Sequence, residues 1–389
     1  MKPELDDIRS FYHSLQPVLL PTKVLGIFPF KVSKNKSEIF VSTNRDILLS
    51  FIMFLVTIVA GVISLYTNFV MGEEEKVLIG VYAVYLTFLH LNTTLGIAII
   101  TFKRKKVAMI FKYLFQVDQF LSRSAVSIMY KNTRRGLFKS LGLVLLYLSI
   151  VTACLIFYFT GPIEVIIQTF PEMLSIMINT LMLFQYAAIA RALSYRYNQL
   201  YNILKELPDV ESQALFLKWI TGHIYSQTHA IDPLKIKVLR QQHLNLFNAV
   251  CLLNEVYGFI ILLEVSTALI NCVASLYNGI SMLKVDDNMM ESIAMIIAGT
   301  QLLAPIIWLI LVCHQVTKQR EKHATVVQKL IVSSSLDNMA QTHLKEFLGQ
   351  ISILEQTFSA AGFFQLDLPF ICTALSAIFT YFIIMAQAN

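Results

Sequence analysis

Residues 47–71 read ILLSFIMFLVTIVAGVISLYTNFVM, twenty-five consecutive residues without a charged side chain. A helix needs about 20 mostly apolar residues to cross the hydrocarbon core of a bilayer. Six further stretches of similar length and character follow it, and of all seven only the fifth carries a charge, at Glu264. The seven predicted spans cover residues 47–71, 77–102, 140–161, 173–190, 256–282, 293–316 and 368–387.

The basic residues lie almost entirely in alternate connecting segments. Of the 31 Lys and Arg residues, 29 precede the first span or lie between the second and third, fourth and fifth, or sixth and seventh spans; the other two are Lys76 and Lys284. Cytoplasmic loops are the ones enriched in Lys and Arg. We therefore predict an all-α membrane protein with seven transmembrane helices, a cytoplasmic N-terminus and an extracellular C-terminus. G-protein-coupled receptors have the reverse orientation.

The composition agrees with a membrane protein and argues against other classes. The chain is 56% hydrophobic and 14% charged, against about 25% charged in soluble domains. Its net charge of +6 is explained by attraction to anionic lipid on the cytoplasmic side, so no nucleic acid partner is expected. The sequence contains no recognisable catalytic motif, metal-ligand spacing or cofactor motif, and we expect neither an enzyme nor a bound cofactor. All five cysteines lie in or near predicted spans, which excludes a disulfide framework in the outside loops.

The connecting segments divide the chain further. We assign 1–45 to a cytoplasmic N-terminal segment, 46–190 to transmembrane helices 1–4 and 191–255 to a cytoplasmic helical extension. This extension includes a helix that ends at Pro208. We assign 256–317 to helices 5 and 6, 318–365 to a cytoplasmic anchor region and 366–389 to helix 7. Apolar residues recur at helical spacing within 234–246 and 326–354. Because an amphipathic helix must bury its apolar stripe, these extensions either pack together beneath the membrane or lie flat in its interface. The outside loops, 72–76, 162–172 and 283–292, are short and acidic; they either concentrate cations near a pore mouth or are simply solvated.

The C-terminal end carries the most specific local pattern. Gly362-Phe363-Phe364-Gln365-Leu366-Asp367 precedes the last span, and Thr380-Tyr381 is followed by five apolar residues and Gln387. This resembles the closing signature of insect gustatory receptors. Two further blocks are similar to that family: Phe11-Tyr12 through Lys23-x-Leu25-Gly26, and His243-x-x-Leu246 leading to Asn254-x-x-Tyr257-Gly258. One position departs from it, because Ala388 stands where the family usually has Phe.

The resemblance implies a ligand-gated, non-selective cation channel of four like subunits, a homotetramer or a heterotetramer with related subunits. In that family the final helix of each subunit lines the pore, the cytoplasmic extensions form an anchor domain, and the ligand binds among the outer halves of the second to sixth helices. The implied partners are a small-molecule tastant, permeant cations and membrane lipids. The implied location is the plasma membrane of a sensory neuron.

The last span contains a candidate pore face at helical spacing. Four copies around an axis would place polar Thr380 and Gln387 and an apolar ring of Ile384 along the lining, and apolar rings can gate by dewetting. The alternative is that Thr and Gln only hydrogen-bond to a neighbouring helix. The candidate pore and gate residues are Ala377, Thr380, Tyr381, Ile384, Gln387 and Ala388.

Polar residues inside the other spans are candidates for the ligand pocket. Ligand pockets are mostly apolar with a few placed polar groups, although Tyr and Asn also serve helix packing. The candidates are Tyr85, Tyr158, Asn179, Asn271 and Gln301. Two further intramembrane polar residues, His90 and Glu264, either serve structure or face the ligand cavity.

Two other functions fit parts of the pattern. An insect odorant receptor subunit would share the topology and the final-helix pore but work with a co-receptor. A transporter is the more distant alternative, and only Glu264 and Pro305 hint at the charged sites and broken helices that a transporter would contain.

Overall fold

The computed structural model describes residues 5–32, 40–71, 76–158, 163–221, 233–285, 289–333, 338–354 and 357–387. Within these ranges the chain is almost entirely helical, with two short antiparallel hairpins. The helices are α1 Leu5–Val24, α2 Asn44–Met71, α3 Lys76–Phe102, α4 Arg104–Phe120, α5 Arg123–Tyr158, α6 Ile163–Thr221, α7 Pro233–Val285, α8 Met289–Gly299, α9 Leu303–Ser333, α10 Asn338–Ile353 and α11 Leu368–Gln387. The hairpins pair β1 Lys31–Val32 with β2 Phe40–Val41, and β3 Ser359–Ala360 with β4 Phe364–Gln365.

Several helices are long and apolar enough to cross a membrane, which confirms the predicted fold class. Among the described residues these are Asn44–Asn68, Gly80–Phe102, Thr169–Leu207, Pro233–Ile280 and Met295–Val332, with a shorter apolar stretch at Leu368–Ile384. They coincide with six of the seven predicted spans. The remaining one, 140–161, falls on α5 as far as Tyr158 and on residues 159–161, which lie outside the described ranges. The count of seven and the orientation stay predictions.

Two helices are far longer than a membrane crossing requires. Helix α6 has 59 residues and α7 has 53. At about 1.5 Å per residue, α6 is about 90 Å long, roughly three times the thickness of the hydrocarbon core. Both helices therefore continue well beyond the apolar layer as rigid extensions.

The boundaries of α6 correct two predictions. The predicted outside loop 162–172 is wrong, because α6 begins at Ile163 and continues through Pro171. The predicted helix end at Pro208 is also wrong, because α6 continues to Thr221. A proline inside a helix costs about 3 kcal/mol. Residues 175–200 of α6 are nearly all buried. The free energy gained by burying them outweighs the cost of Pro171.

The sixth predicted span is divided, and helices cover most of the predicted loop before it. Helix α7 runs to Val285 and α8 starts at Met289, so most of the predicted loop 283–292 is helical. Helix α8 then ends at Gly299, and α9 starts at Leu303. Pro305 contributes to the break because it has no N–H with which to continue the helical hydrogen bonds. At the end of α8 the packing against α7 is tight, since a Cβ at Gly299 would lie 2.7 Å from the Ser275 Cβ.

The helical extensions bury their apolar stripes against one another. Helix α4 packs on α7, α10 packs on α7 and α9, and α9 packs along α6. The residues of these stripes that are fully buried are Leu239, Leu246, Val327, Leu330, Leu344 and Ile351. The packed arrangement, rather than one lying flat in the membrane interface, therefore describes these segments.

A buried ion pair lies where the N-terminal helix α1 meets α4, α5 and α6. The guanidinium of Arg196 on α6 lies 2.5 Å from the carboxylate of Asp118 on α4, and both side chains are buried. The hydroxyl of Tyr130 on α5 donates to the same carboxylate at 2.8 Å. The Arg196 guanidinium carbon is 5.6 Å from the centroid of the Phe11 ring on α1. Burial raises the pKa of the Asp118 carboxyl, and the Arg196 charge opposes that rise.

Candidate pore helix and ligand pocket

A tight hairpin delivers the chain to the last helix. Strands β3 and β4 pair Ser359 with Gln365 and Ala360 with Phe364. The turn between them places Ala361 at φ 52° and Gly362 at φ 83°. Left-handed backbone is readily adopted only by Gly, which explains the Gly of the Gly-Phe-Phe pattern.

The residues after the hairpin start helix α11. The carboxylate of Asp367 accepts a hydrogen bond from the backbone N–H of Phe370 at 3.1 Å, as an N-cap residue does. The rings of Phe364 and Phe370 stack with their centroids 4.1 Å apart. The local pattern at 362–370 is therefore a turn, a cap and an aromatic pair that together set the direction in which α11 leaves the hairpin.

Helix α7 holds this hairpin in place. The side-chain amide of Asn254 donates to the carbonyl oxygen of Thr357 at 2.7 Å, and its carbonyl oxygen accepts from the N–H of Ser359 at 3.4 Å. One turn later, a Cβ at Gly258 would lie only 2.8 Å from the backbone nitrogen of Ala361. The two sequence blocks at 254–258 and 360–367 therefore form one contact.

Among the described residues, helix α11 packs against the rest of the chain through a narrow stripe. Ile378 is buried among Cys272 and Val273 of α7, and the stripe borders a small apolar crevice of about 30 Å³ against α7 and α9. The predicted pore residues lie mostly on other faces: Thr380, Tyr381, Ile384 and Gln387 are exposed and Ala377 is half-buried, while Ala388 lies outside the described residues.

The hydroxyl of Thr380 does not reach a neighbouring helix. It donates to the carbonyl oxygen of Ser376, one turn earlier on α11, at 2.8 Å. A hydroxyl oxygen keeps acceptor capacity when it donates. The exposed oxygen of Thr380 is thus available to water or a cation on that face.

The second part of the site is a group of buried and half-buried polar side chains between α3, α6 and α7, which we call the polar cluster. Its members are Tyr82, Tyr85, His90, Asn92, Glu172, Ser175, Asn179 and Glu264.

Glu172 lies at one end of the cluster and receives two tyrosine hydroxyls. Tyr82 donates to one carboxylate oxygen at 2.7 Å, and Tyr85 donates to the other at 2.9 Å. Glu172 is 9% exposed. A buried carboxylate is costly unless it is hydrogen-bonded, and these two phenols supply the bonds.

The middle of the cluster contains polar atoms that lack protein partners. His90 Nδ1 lies 2.9 Å from the Ser175 hydroxyl, and the amide of Asn179 donates to the Leu89 carbonyl at 3.4 Å. No hydrogen-bond partner is present among the described residues for His90 Nε2 or Asn179 Oδ1. Buried polar groups are normally satisfied by protein, water or ligand.

Glu264 closes the cluster on the α7 side. It accepts a hydrogen bond from the side-chain amide of Asn92. Its other oxygen and the Asn92 carbonyl oxygen have no partner in the described part of the chain. This arrangement can accept hydrogen bonds from a polar ligand that enters between α3 and α7.

The predicted pocket residues divide into separate groups. Tyr85, Asn179, His90 and Glu264 belong to the polar cluster, whereas Asn271 donates to the Gly299 carbonyl at 3.5 Å beside the break between α8 and α9. Gln301 is buried in that same break. The side chain of Tyr158 lies outside the described residues.

Four members of the cluster are absent from the sequence-based set: Tyr82, Asn92, Glu172 and Ser175. Helical spacing along the sequence could have identified them. Positions 82, 85, 89 and 92 share one face of α3, and positions 172, 175 and 179 share one face of α6. Glu172 falls within the predicted outside loop 162–172, where helical spacing does not apply.

Comparison with known proteins gives a consistent family and fold. The family model described as 7tm chemosensory receptor matches residues 15–388. No curated protein sequence is significantly similar to the chain.

Solved structures of an insect olfactory receptor share the fold. Receptor OR5 from Machilis hrabei in complex with eugenol aligns over 99% of this chain and 100% of its own, with a TM-score of 0.67 and 14% identity. A second structure of the same receptor aligns over the same shares with a TM-score of 0.61 and 13% identity.

Proposed function

Because the chain belongs to the 7tm chemosensory receptor family, we propose that it is a gustatory receptor that acts as a ligand-gated, non-selective cation channel. In this proposal a small-molecule tastant opens the channel in the plasma membrane. Four subunits, identical or related, surround one pore, and each contributes α11. The N-terminus is cytoplasmic and the chain crosses the membrane seven times.

The observation that carries the proposal is the uncovered face of α11. Successive residues of a helix are rotated by about 100°, so Ile384 lies roughly 120° around the helix from the packed Ile378. Thr380, Tyr381 and Ile384 face away from the rest of the subunit. A helix that combines polar and apolar residues on such a face is suited to neighbouring subunits and an aqueous pore.

Helix α7 couples the polar cluster mechanically to the helix that lines the proposed pore. It carries Glu264 in the polar cluster and Gly258 against the hairpin of α11. These positions are six residues apart, about 9 Å along the helix axis. A ligand that replaces the Asn92–Glu264 hydrogen bond would move α7 relative to α3. The hairpin would move with α7 because Asn254 and Gly258 contact it directly.

The gustatory assignment within the family is supported by the Thr380-Tyr381 and Gln387 signature and by the N-terminal block at 11–26. An odorant receptor subunit that needs a co-receptor is the second candidate. It is favoured by the fold shared with the olfactory receptor OR5.

Whole-cell recording from cells that express this chain alone tests the proposal. A tastant-evoked cation current from the single subunit type would support a gustatory, homomeric channel. Current that requires an added co-receptor would favour the odorant alternative. Stoichiometric uptake of a ligand against its gradient, without channel current, would contradict both and indicate a transporter.

A further inference from the structure

A cavity between α1 and α5 shares no lining residue with the polar cluster. Its volume is about 630 Å³, and it is open to solvent on one side. The polar residues that line it are Ser10, His13, Ser14 and Gln16 of α1 and Tyr130, Lys131, Arg134 and Arg135 of α5. The proposed channel mechanism uses none of these side chains.

The cavity is strongly basic. Lys131, Arg134 and Arg135 place three positive charges within two turns of one helix, and none of the described residues lining the cavity is acidic. Lys131 and Arg135 are four residues apart, a spacing at which like charges repel. An anion in the cavity would remove that repulsion.

The α1 side of the cavity supplies hydrogen-bonding groups. The ring of His13 is held by Gln16, with His13 Nδ1 3.0 Å from Gln16 Oε1. On the α5 side, the Arg134 guanidinium carbon is 5.6 Å from the centroid of the Phe138 ring. Both contacts orient polar side chains at the edge of the cavity before any ligand binds.

The cavity is at the depth of lipid headgroups if α5 forms the third span. Arg135 precedes the predicted start of that span at Ser140 by five residues, about 7.5 Å along the helix. Leu143, Leu146 and Ile150 on the following turns are exposed, as expected for a face turned to lipid. Basic pockets at the cytoplasmic end of spanning helices are suited to phosphorylated lipid headgroups.

We propose that this cavity binds a multiply phosphorylated inositol group, supplied by an anionic lipid of the cytoplasmic leaflet. A volume of about 630 Å³ is within the range of about 300–1,000 Å³ typical of small-molecule sites, and a single phosphate would fill only a part of it. Two guanidinium groups can each bind a phosphate with paired hydrogen bonds. The proposal rests on the proposed orientation, which places this end of α5 in the cytoplasm.

The site is connected to the packing of the chain. Tyr130 lines the cavity and donates to Asp118, which pairs with Arg196. An occupant that bridges α1 and α5 would hold the junction of α1, α4, α5 and α6 together. Binding should therefore raise the thermal unfolding midpoint of the whole protein.

Binding can be measured on the purified full chain in phosphatidylcholine nanodiscs. The probe is phosphatidylinositol 4,5-bisphosphate added to the discs, and the readout is the shift in the unfolding midpoint. The triple variant Lys131→Gln, Arg134→Gln, Arg135→Gln should lose the shift and bind a fluorescent short-chain form of the probe at least about tenfold more weakly. Ser10→Glu places a carboxylate in the cavity without removing a base and should also weaken binding.

A matched control removes three exposed bases elsewhere: Lys105→Gln, Lys112→Gln, Lys329→Gln. Equal loss of binding in this variant, or unchanged binding in the cavity variants, would overturn the proposal. Inositol 1,4,5-trisphosphate and inorganic phosphate serve as competitors. Tight binding of the free trisphosphate alone would support the same chemistry with a soluble source, whereas a preference for the lipid supports the membrane source. Because the readout is binding, failure of the channel proposal leaves this result interpretable.

Discussion

The side-chain amide of Asn254 on α7 donates a hydrogen bond of 2.7 Å to the carbonyl oxygen of Thr357, just before strand β3. The Asn254 carbonyl oxygen also accepts from the Tyr186 hydroxyl on α6 at 3.3 Å. One side chain thus links α6, α7 and the hairpin that leads into α11. In the proposed channel, this is where movement of the ligand-binding helices would reach the pore.

Replacing Asn254 should weaken that link. Asn254→Ala leaves the Thr357 carbonyl and the Ser359 N–H without their partner, and each lost bond costs about 1 kcal/mol. We expect a lower unfolding midpoint and a higher agonist concentration for half-maximal current. Asn248→Ala, six residues earlier on α7, is the control. Equal agonist sensitivity in the two variants would exclude the coupling role.

Gly258 should tolerate no side chain. Gly258→Ala places a methyl group 2.8 Å from the backbone nitrogen of Ala361, and overpacking of this kind costs about 1–3 kcal/mol. The hairpin must shift, so we expect altered gating and a lower unfolding midpoint. Gly142→Ala, where nothing lies within 4 Å of the added carbon, should leave the midpoint unchanged or raise it. Similar midpoints for both variants would show that Gly258 and Ala361 are farther apart than this distance.

The tyrosines that bond Glu172 should affect ligand sensitivity. Tyr85→Phe removes a 2.9 Å hydrogen bond to the carboxylate, and a bond to a charged group contributes about 1.5–3 kcal/mol. A tenfold or larger rise in the half-maximal agonist concentration is expected, since about 1.4 kcal/mol corresponds to a factor of ten. Dose–response curves measure it, with the exposed Tyr66→Phe as the control. A normal curve for Tyr85→Phe and for Tyr82→Phe would remove the cluster from the ligand site.

The proposed gate can be tested at Ile384. Shortening this side chain to Ala widens an apolar ring in the four-subunit pore, and a wider ring is more easily wetted. We expect Ile384→Ala to raise the resting current without agonist. Ile383→Ala removes the same atoms about 100° away around the helix and should have little effect. Unchanged leak in Ile384→Ala would place the gate elsewhere.

The buried ion pair should be essential for stability. Arg196→Met leaves Asp118 buried without its partner, a loss of about 3–5 kcal/mol in comparable sites. A large drop in the unfolding midpoint is expected, measured in detergent or nanodiscs. Lys205→Met removes an exposed base from the same helix and should change the midpoint little. The double change of Arg196→Met with Asp118→Asn should recover part of the loss, because the uncompensated charge is gone.

The hydrophobic pattern predicted most of the membrane-crossing helices because the bilayer imposes a local requirement. About 20 apolar residues are needed wherever the chain crosses, so the signal is contained within each segment. The errors in helix boundaries arose where tertiary packing keeps a helix continuous through a proline. Residues 162–172 were predicted as a loop and Pro208 as the end of a helix, yet α6 runs from Ile163 to Thr221.

Only some of the candidate site residues could be predicted from the sequence. Thr380 and Ile384 could be proposed for the pore because one helix contains the whole pattern, and Tyr85 and Glu264 for the pocket because they are polar inside apolar spans. Glu172 and Asn92 share helix faces with Asn179 and Tyr85, but their bonding partners were not predictable, because these depend on which helix lies opposite. Asn92 stands 172 positions from Glu264 along the chain, and their hydrogen bond has no counterpart in any short pattern.

The sequence by itself determined that the chain is a helical membrane protein and predicted its orientation, because hydropathy and the distribution of Lys and Arg act segment by segment. Only the tertiary structure decided that Asn254 and Gly258 meet the hairpin of α11 and that two buried carboxylates belong to one polar cluster. The physical reason is that the rotation and axial shift of each helix are set by packing against its neighbours. Those two quantities decide which side chains from distant segments come within hydrogen-bonding distance.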